Sequence, residues 1–213
     1  MTTPARPTGR VEPTRRAQRT QERGDRTRLS IIEETIACVR EEGFQAASAK
    51  HITERAGVTW GVIQYHFGGR DGLLMAVVDH GYSLLREAIS AIEVPAGTVR
   101  DRVQAVVDAG WVAFSDPVTM AALEILVATR SDRDPVLDQH LVELGRRLSD
   151  LGRAIDPDHR DRRAVGDLLW ATLRGLVLVR LIVRGPVDTT AERAALVDTL
   201  TAHLQVPASP DRC

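Results

Sequence analysis

The stretch that decides the fold runs from Ser48 to Met75 and reads SAKHITERAGVTWGVIQYHFGGRDGLLM. Ser48 can cap a short helix that ends at Ala56, and Gly57 breaks the chain before a second short helix, which Thr59 can cap. The glycine pair that follows the Tyr-His-Phe run ends this second helix. Two short helices joined by a glycine-containing turn are typical of a helix-turn-helix.

The side chains around the second helix divide into an apolar side and an outward side. The residues expected to pack against the first helix of the domain are Ile52, Ala56, Val58, Ile63 and Phe67. The residues left to face outward are Thr59, Trp60, Gly61, Gln64 and Tyr65. In a helix-turn-helix the second helix enters the major groove, where an amide such as that of Gln64 can pair with adenine. The outward side therefore predicts direct contact with DNA bases.

Other polar side chains around the two helices suit contacts with DNA, chiefly with phosphates. These candidates are Ser48, Lys50, His66 and Arg70, together with Tyr65 of the outward side. The alternative interpretation is an aromatic core cluster formed by Tyr65, His66 and Phe67 without any nucleic acid. That alternative does not explain why the start of the second helix is polar-capped and poor in core residues.

Hydrophobic periodicity on either side of this stretch predicts an all-α protein of about nine helices and no sheet. The prediction places helices at about 25–43, 48–56, 59–67, 70–92, 98–114, 117–129, 135–154, 158–184 and 189–204. The predicted organisation is a disordered basic arm over 1–24, a helix-turn-helix domain over 25–70, a connecting helix over 71–94, a larger helical domain over 95–206 and a tail over 207–213.

Polar residues mark several of the later helix starts. Thr98 and Thr189 each precede an acidic residue by three positions, the spacing of a capping box. Asp116, Asp134 and Asp156 each stand before a proline, which is favoured at the first helical position. These five residues are therefore predicted to be N-caps.

Charge is distributed unevenly along the chain. Residues 1–28 contain eight arginines against three acidic residues, a net charge of +5, which leaves −6 for the rest because the whole chain carries −1. A basic end on an acidic body suits a protein whose one end meets a polyanion. A solvated, flexible tail explains the same asymmetry.

The motif over residues 52–74 resembles the signature of the TetR family of transcriptional regulators. The matching positions are Ile52, Glu54, Ala56, Gly57, Val58, Thr59, Gly61, Tyr65, His66, Phe67, Arg70, Asp71, Leu73 and Leu74. The resemblance implies a sequence-specific regulator that binds a double-stranded, palindromic DNA operator. Trp60 and Gln64 differ from the family's common residues on the groove-facing side, which leaves the operator sequence open.

The resemblance also implies a homodimer, a ligand cavity and a repressor that an unknown small-molecule effector releases from DNA. The expected dimer interface comprises Leu169, Leu173, Leu176, Val177, Leu181, Leu196, Leu200 and Leu204. The expected effector pocket comprises Trp111, Phe114, Met120, Glu124, Trp170 and Arg174. A TetR-like activator remains an alternative, and both apolar stripes are also compatible with a simple intramolecular core.

Two different classes of function compete with this interpretation. A helical enzyme is one, but the sequence has no glycine-rich phosphate loop and no HExxH or GxSxG motif. A helical adaptor that binds protein is the other. No metal site or cofactor is expected, because the histidines lack ligand spacing and Cys38 and Cys213 have no CxxC partner. Without an apolar signal segment or a membrane-spanning stretch, the sequence predicts a cytoplasmic protein without a membrane partner.

Overall fold

The computed structural model describes residues 15–129, 135–159, 161–183 and 185–206. These residues form nine α-helices and one 3₁₀ turn, and they contain no β-strand, so the all-α prediction is confirmed. The helices are α1 (Arg15–Glu42), α2 (Ala49–Ala56), α3 (Trp60–Phe67), α4 (Arg70–Ser90), α5 (Val99–Ser115), α6 (Pro117–Ala128), α7 (Pro135–Ile155), α8 (Arg162–Ile182) and α9 (Thr190–Gln205), and the 3₁₀ turn spans Phe44–Ala46.

Side-chain caps fix the starts of α5 and α6 where the sequence predicts them. At α5, the Thr98 hydroxyl accepts from the Asp101 amide, and Asp101 accepts in return from the Thr98 amide, which completes a capping box. At α6, the Asp116 carboxylate accepts from the amides of Val118 and Thr119 at 2.8 and 3.3 Å, ahead of a proline at the first helical position.

Helix α1 begins at Arg15, ten residues earlier than predicted, so the prediction of a disordered arm up to residue 24 is wrong for residues 15–24. The prediction relied on the lack of large apolar side chains. Arginine, glutamine, glutamate and alanine nevertheless have high intrinsic helix propensity, and an already formed helix can extend through them into solvent. Residues 1–14, the predicted cap Asp134 and the predicted tail over 207–213 lie outside the described residues.

Two other helix starts differ from the prediction. Asp156 closes a turn, because its carboxylate accepts from the Asp158 amide, and α8 begins only at Arg162. At α9, the predicted capping box on Thr189 does not form, and Asp188 instead accepts from the amide and hydroxyl of Thr190. In both places an aspartate binds an amide two residues further on, a local turn that replaces the predicted cap.

Two apolar cores share the helices α4 and α6. The first lies among α1, α2, α3 and the N-terminal half of α4, and α6 adds Ala121 and Ile125 to it. The second lies among α5, α8, α9 and the C-terminal half of α4, to which Leu85 and Ile89 belong. The helix-turn-helix unit is therefore anchored to the larger helical unit through packed side chains.

The crossing of α4 and α6 requires a glycine. A Cβ atom at Gly81 would lie 2.5 Å from Ala122 Cβ, closer than real Cβ atoms approach, and 3.2 Å from the Val118 carbonyl oxygen. Gly81 thus lets the two helices that join the cores pack backbone to backbone.

Candidate nucleic-acid interface

The turn between α2 and α3 has the geometry that the sequence predicts. The Ser48 hydroxyl caps α2 by accepting from the His51 amide at 3.3 Å. Gly57 ends α2 in the left-handed region, with φ of 64°, and the Val58 amide donates to the Thr53 carbonyl. This turn sets the angle between α2 and α3.

Helix α3 is anchored by one side and exposed on the other. Ile63 is fully buried, and Val62 and Phe67 pack half-buried against the first core. Tyr65 is 85% exposed and Trp60 is 46% exposed, high values for large aromatic side chains. The complete exposed side consists of Thr59, Trp60, Gly61, Gln64 and Tyr65, as the sequence predicts.

The flanking polar residues have different local roles. Lys50 has a side chain that is 86% exposed, and its acidic neighbour on the same helix, Glu54, lies 3.9 Å away. Arg70 is engaged within the chain: its Nε donates to the Ala47 carbonyl at 2.7 Å, and its guanidinium lies over the Phe44 ring. A phosphate contact by Arg70 stays a prediction. Only the guanidinium nitrogens that do not bond the Ala47 carbonyl are available to make it.

The N-terminal half of α1 passes the C-terminal end of α3. A Cβ atom at Gly24 would lie 3.9 Å from His66 Cε1, and the guanidinium of Arg28 lies over the Phe67 ring at 5.2 Å. Arg23 directly precedes Gly24, Arg19 lies about one helical turn earlier, and both are exposed. The basic extension of α1 therefore lies close to α3.

An ion-pair network that sequence reasoning missed holds α1 to α2. Arg55 lies within ion-pairing distance of Glu34, Glu41 and Glu42, and His51 Nε2 lies 2.9 Å from Glu42 Oε2. The hydrogen bonds from His51 and Arg55 lower the pKa of Glu42. Acidic residues on α1 and basic residues on α2 are the signal in the sequence, but their pairing depends on the crossing of the two helices.

A cavity of about 350 Å³ lies between α4, α5, α6 and α8. Three of the predicted pocket residues, Phe114, Trp170 and Arg174, line it. The two rings pack together with their centroids 4.6 Å apart, and the Arg174 guanidinium lies over the Trp170 ring at 5.0 Å. Sequence reasoning missed the lining from α4 and α6, because the crossing at Gly81 brings those side chains together.

The other three predicted pocket residues lie outside the lining. Trp111 lies under the guanidinium groups of Arg180 and Arg193. Met120 packs half-buried on the second core. Glu124 accepts a hydrogen bond from the Phe44 amide at 2.8 Å, so its carboxylate joins α6 to the helix-turn-helix unit.

The predicted dimer stripe is largely internal. Leu176 and Leu181 are half-buried, and a role for them in an interface stays a prediction. The other predicted residues are buried within the single chain: Leu169, Leu173, Val177, Leu196, Leu200 and Leu204. Their role in an interface also stays a prediction, because periodicity marks an apolar side without saying which neighbour covers it.

Helix α8 has a different side that the chain leaves open. Leu168, Gly175, Val179 and Ile182 are exposed along it, and Thr172 is half-buried between them. Sequence reasoning missed this side, because the glycine and the threonine interrupt its apolar pattern.

Two groups of potential metal ligands occur among the described side chains, each with ligand atoms within 4.8 Å of one another. One comprises Cys38, Glu42 and His51, where Glu42 is already paired with Arg55 and His51. The other comprises His159, Asp161 and His203, which come from the α7–α8 connection and the end of α9. Distance along the chain hid both groups from sequence reasoning.

Within the described ranges, no single helix is long and apolar enough to cross a membrane. The segments Val99–Phe114 and Pro117–Ala128 meet those criteria only when taken together, and they are bent by 67°.

Comparison with known proteins relates this arrangement to a family of regulators. Residues 31–77, which contain the end of α1, all of α2 and α3, and the start of α4, match the family described as bacterial regulatory proteins, tetR family. The HTH-type transcriptional regulator BetI of Burkholderia cenocepacia is 30% identical over 172 residues, which cover 77% of this chain and 87% of that protein. BetI of Escherichia coli strain K12 is 28% identical over 186 residues, which cover 83% of this chain and 93% of BetI.

Solved structures show the same fold over most of the chain. A transcriptional regulator from Pseudomonas aeruginosa PAO1 superposes with a TM-score of 0.60 at 27% identity, covering 84% of this chain and 91% of that structure. The TetR family regulator PfmR from Thermus thermophilus gives a TM-score of 0.62 at 17% identity, covering 81% and 97%. With its helix-turn-helix, its helical second unit and these relatives, the chain belongs to the TetR family and is a DNA-binding transcriptional regulator, not an enzyme.

Proposed function

We propose that this regulator acts as a homodimeric repressor that leaves a palindromic operator when a small molecule occupies the cavity between α4, α5, α6 and α8. The observation that carries the proposal is the exposed side of α3, where Trp60, Gln64 and Tyr65 face solvent while Ile63 holds the helix in the core. Such a helix can enter a major groove without rearrangement of the domain.

The open side of α8 supports the homodimer. Leu168, Thr172, Gly175, Val179 and Ile182 recur at spacings of four and three residues, the seam along which two helices pack. Ile182 is 78% exposed, and nothing lies within 4 Å of a Cβ placed at Gly175, so the centre of the seam is open to a second helix. A second copy of α8 is the occupant that this seam fits, because a symmetric partner presents the same spacing.

The basic residues around α3 support a backbone contact that extends the interface. Lys50 is exposed on α2, and Arg19 and Arg23 are exposed on α1 just before Gly24, the position whose Cβ would lie 3.9 Å from His66 Cε1. Cations beside a groove-reading helix bind phosphates and set the register of the protein on the duplex.

Helix α6 supports a route from the cavity to DNA. Its residues Thr119, Ala122, Leu123 and Leu126 line the cavity, and Glu124 on the same helix holds the Phe44 amide. A ligand that prefers a shifted position of α6 would move the helix-turn-helix unit with it and change the spacing of the two DNA-reading helices.

The experiment is a gel-shift titration of the protein against DNA from upstream of its own gene, combined with light scattering to determine the oligomeric state. We expect a dimer that binds a palindromic fragment, and loss of binding in a Lys50→Ala, Gln64→Ala double variant that remains dimeric. A monomer, or equal binding by the variant, contradicts the proposal.

A further inference from the structure

We infer that the cavity takes an apolar molecule with an acidic head group and discriminates against organic cations. This assignment gives the effector a chemical class, and it rests on the proposed function of the cavity as the effector site. The charge and apolar composition of the described lining carry it, together with the position of the Glu124 carboxylate.

The lining is apolar along most of its length. Leu85, Phe114, Leu123, Leu126 and Trp170 supply aliphatic and aromatic walls from four helices. The volume of about 350 Å³ falls at the lower end of the range of small-molecule sites, about 300–1,000 Å³. The cavity therefore suits a small apolar body.

Arg174 gives the described lining a positive charge without a compensating carboxylate. Its guanidinium stacks over the Trp170 ring, 5.0 Å from the centroid. An aromatic ring can hold an organic cation on its face, but here a protein cation already occupies that face. A second cation would meet electrostatic repulsion, whereas a carboxylate could pair with the fork of the guanidinium.

Glu124 is the predicted pocket residue whose negative charge, if it faced the cavity, would favour a cationic ligand over an acidic one. Its carboxylate accepts from the Phe44 amide at 2.8 Å, and it does not line the cavity. The described lining therefore contains arginine and no aspartate or glutamate.

Thr119 adds a hydrogen-bonding group. Its side chain is buried in the wall of the cavity, and its hydroxyl has no partner among the described atoms. Buried hydroxyl groups are normally paired, so an orphan hydroxyl in a cavity wall indicates a place for a polar atom of a ligand. A carboxylic acid offers oxygen acceptors to both Thr119 and Arg174.

The test compares three probes of equal chain length and different head-group charge: decanoate, decanol and decyltrimethylammonium. Isothermal titration calorimetry with the full-length dimer measures each dissociation constant below the concentration at which the probe forms micelles. We expect decanoate to bind at least about tenfold more tightly than decyltrimethylammonium, the ratio that a single charge-assisted contact can supply. Decanol should lie between them.

Two variants test whether Arg174 causes the preference for decanoate over decyltrimethylammonium. Arg174→Gln should remove most of the advantage of decanoate, whereas Arg180→Gln, on the same helix but stacked on Trp111 outside the lining, should retain it. The inference is overturned if the cation binds as tightly as the acid, if none of the probes binds, or if Arg174→Gln keeps the full preference.

Operator binding without any probe separates this inference from the proposed function. A dimer that binds its operator but prefers the cation contradicts the acidic ligand class alone. A protein that binds decanoate through Arg174 but ignores every DNA fragment contradicts the proposed function alone.

Discussion

Gly61 is a helical glycine that the protein's own packing does not require. A Cβ atom placed there would meet Thr59 Oγ1 at 3.7 Å, an ordinary contact, and the residue lies on the exposed side of α3. Glycine within a helix is less stable than alanine by roughly 0.5–1 kcal/mol. We propose that a close approach of DNA to this part of α3 accounts for a glycine that the fold does not need.

We therefore predict that Gly61→Ala weakens DNA binding without lowering the stability of the protein. Thermal unfolding should show an unchanged or slightly higher Tm, while fluorescence anisotropy should show at least about a tenfold loss of operator affinity, or about 1.4 kcal/mol. Gly145→Ala is the matched control, because nothing lies within 4 Å of a Cβ placed at that α7 glycine, so the alanine fits there without a clash as it does at Gly61. Equal affinity of the two variants would show that the duplex does not approach Gly61 closely.

Glu42 offers a pH-dependent test of the link between α1 and α2. Hydrogen bonds from His51 and Arg55 lower its pKa, so the folded state binds a proton at this carboxyl less readily than the unfolded state does. The resulting stabilisation is complete above the ordinary carboxyl pKa of about 4.3 and is lost as the pH falls through the lowered value.

Glu42→Gln should accordingly destabilise the protein near neutral pH, and the difference from the unmodified protein should shrink as the pH falls below that ordinary value. Urea unfolding from about pH 7 down to about pH 3, a range that spans the ordinary carboxyl pKa, measures the difference. Glu33→Gln, an exposed position on the same helix, should have little effect at any pH. A constant difference across this range would contradict the pairing.

At the scale of elements, the extension of α1 changes what the basic N-terminus can do. A helix holds Arg19 and Arg23 at fixed positions relative to Gly24, where α1 approaches α3, which a flexible arm could not do. Each phosphate that a cation neutralises contributes roughly 0.9 to the slope of log affinity against log salt.

We predict that the Arg19→Gln, Arg23→Gln double variant weakens operator binding and lowers this slope by up to about two. Binding titrations at several salt concentrations provide the slope. Arg153 and Arg163, which are exposed on α7 and α8, provide a double-glutamine control that should leave the slope unchanged. An unaltered slope in the α1 variant means that the extension does not contact the DNA backbone.

Helix α6 joins the cavity to the helix-turn-helix unit through Glu124. In Glu124→Ala the Phe44 amide loses its acceptor, whereas glutamine retains an oxygen that can accept the bond. We predict that Glu124→Ala lowers stability by about 1–3 kcal/mol and weakens operator binding, and that Glu124→Gln stays close to the unmodified protein. Chemical unfolding and anisotropy measure both quantities. Equal behaviour of the two variants would show that the Glu124–Phe44 hydrogen bond does not connect α6 to the helix-turn-helix unit.

The helix ends show which structural features nearby residues in the sequence are enough to predict. Thr98 and Asp116 were predicted as caps and form them, because a cap depends on residues within one turn. The exposed side of α3 was predicted for the same reason, since the left-handed glycines Gly57 and Gly68 end α2 and α3 locally, whereas Thr59 occupies the N-cap position of α3 without a side-chain capping bond. The early start of α1 and the cap at Asp188 were missed, because helix extension and competition between neighbouring caps depend on small energy differences.

At the scale of the whole molecule, sequence periodicity could not separate core from interface. Leu173 and Val177 belong to an apolar side of α8 that the chain covers itself, whereas Val179 and Ile182 belong to the side that it leaves open. Only the packing of neighbouring helices against α8 distinguishes the two. The cavity was predicted in part for the same reason, since its lining depends on the crossing of four helices.

The open side of α8 leads to a prediction about assembly. Val179→Arg should convert the dimer to a folded monomer and reduce operator affinity by at least about a hundredfold, because a single half-site contributes few base contacts. Light scattering, circular dichroism and anisotropy measure the three properties. Leu84→Arg, at an exposed apolar position on α4, should remain dimeric. A Val179→Arg variant that stays dimeric would place the interface elsewhere.

In the proposed complex with DNA, the exposed side of α3 contacts the duplex twice, once from each subunit of a symmetric pair. Selection of genomic fragments by the purified protein, followed by sequencing, tests it most directly when a Trp60→Ala, Gln64→Ala variant is processed in parallel. We predict enrichment of a palindrome whose half-sites lie about one helical turn, or a multiple of it, apart, and loss of that enrichment in the variant. Absence of any enriched sequence, or the same palindrome selected equally well by the variant, would contradict it.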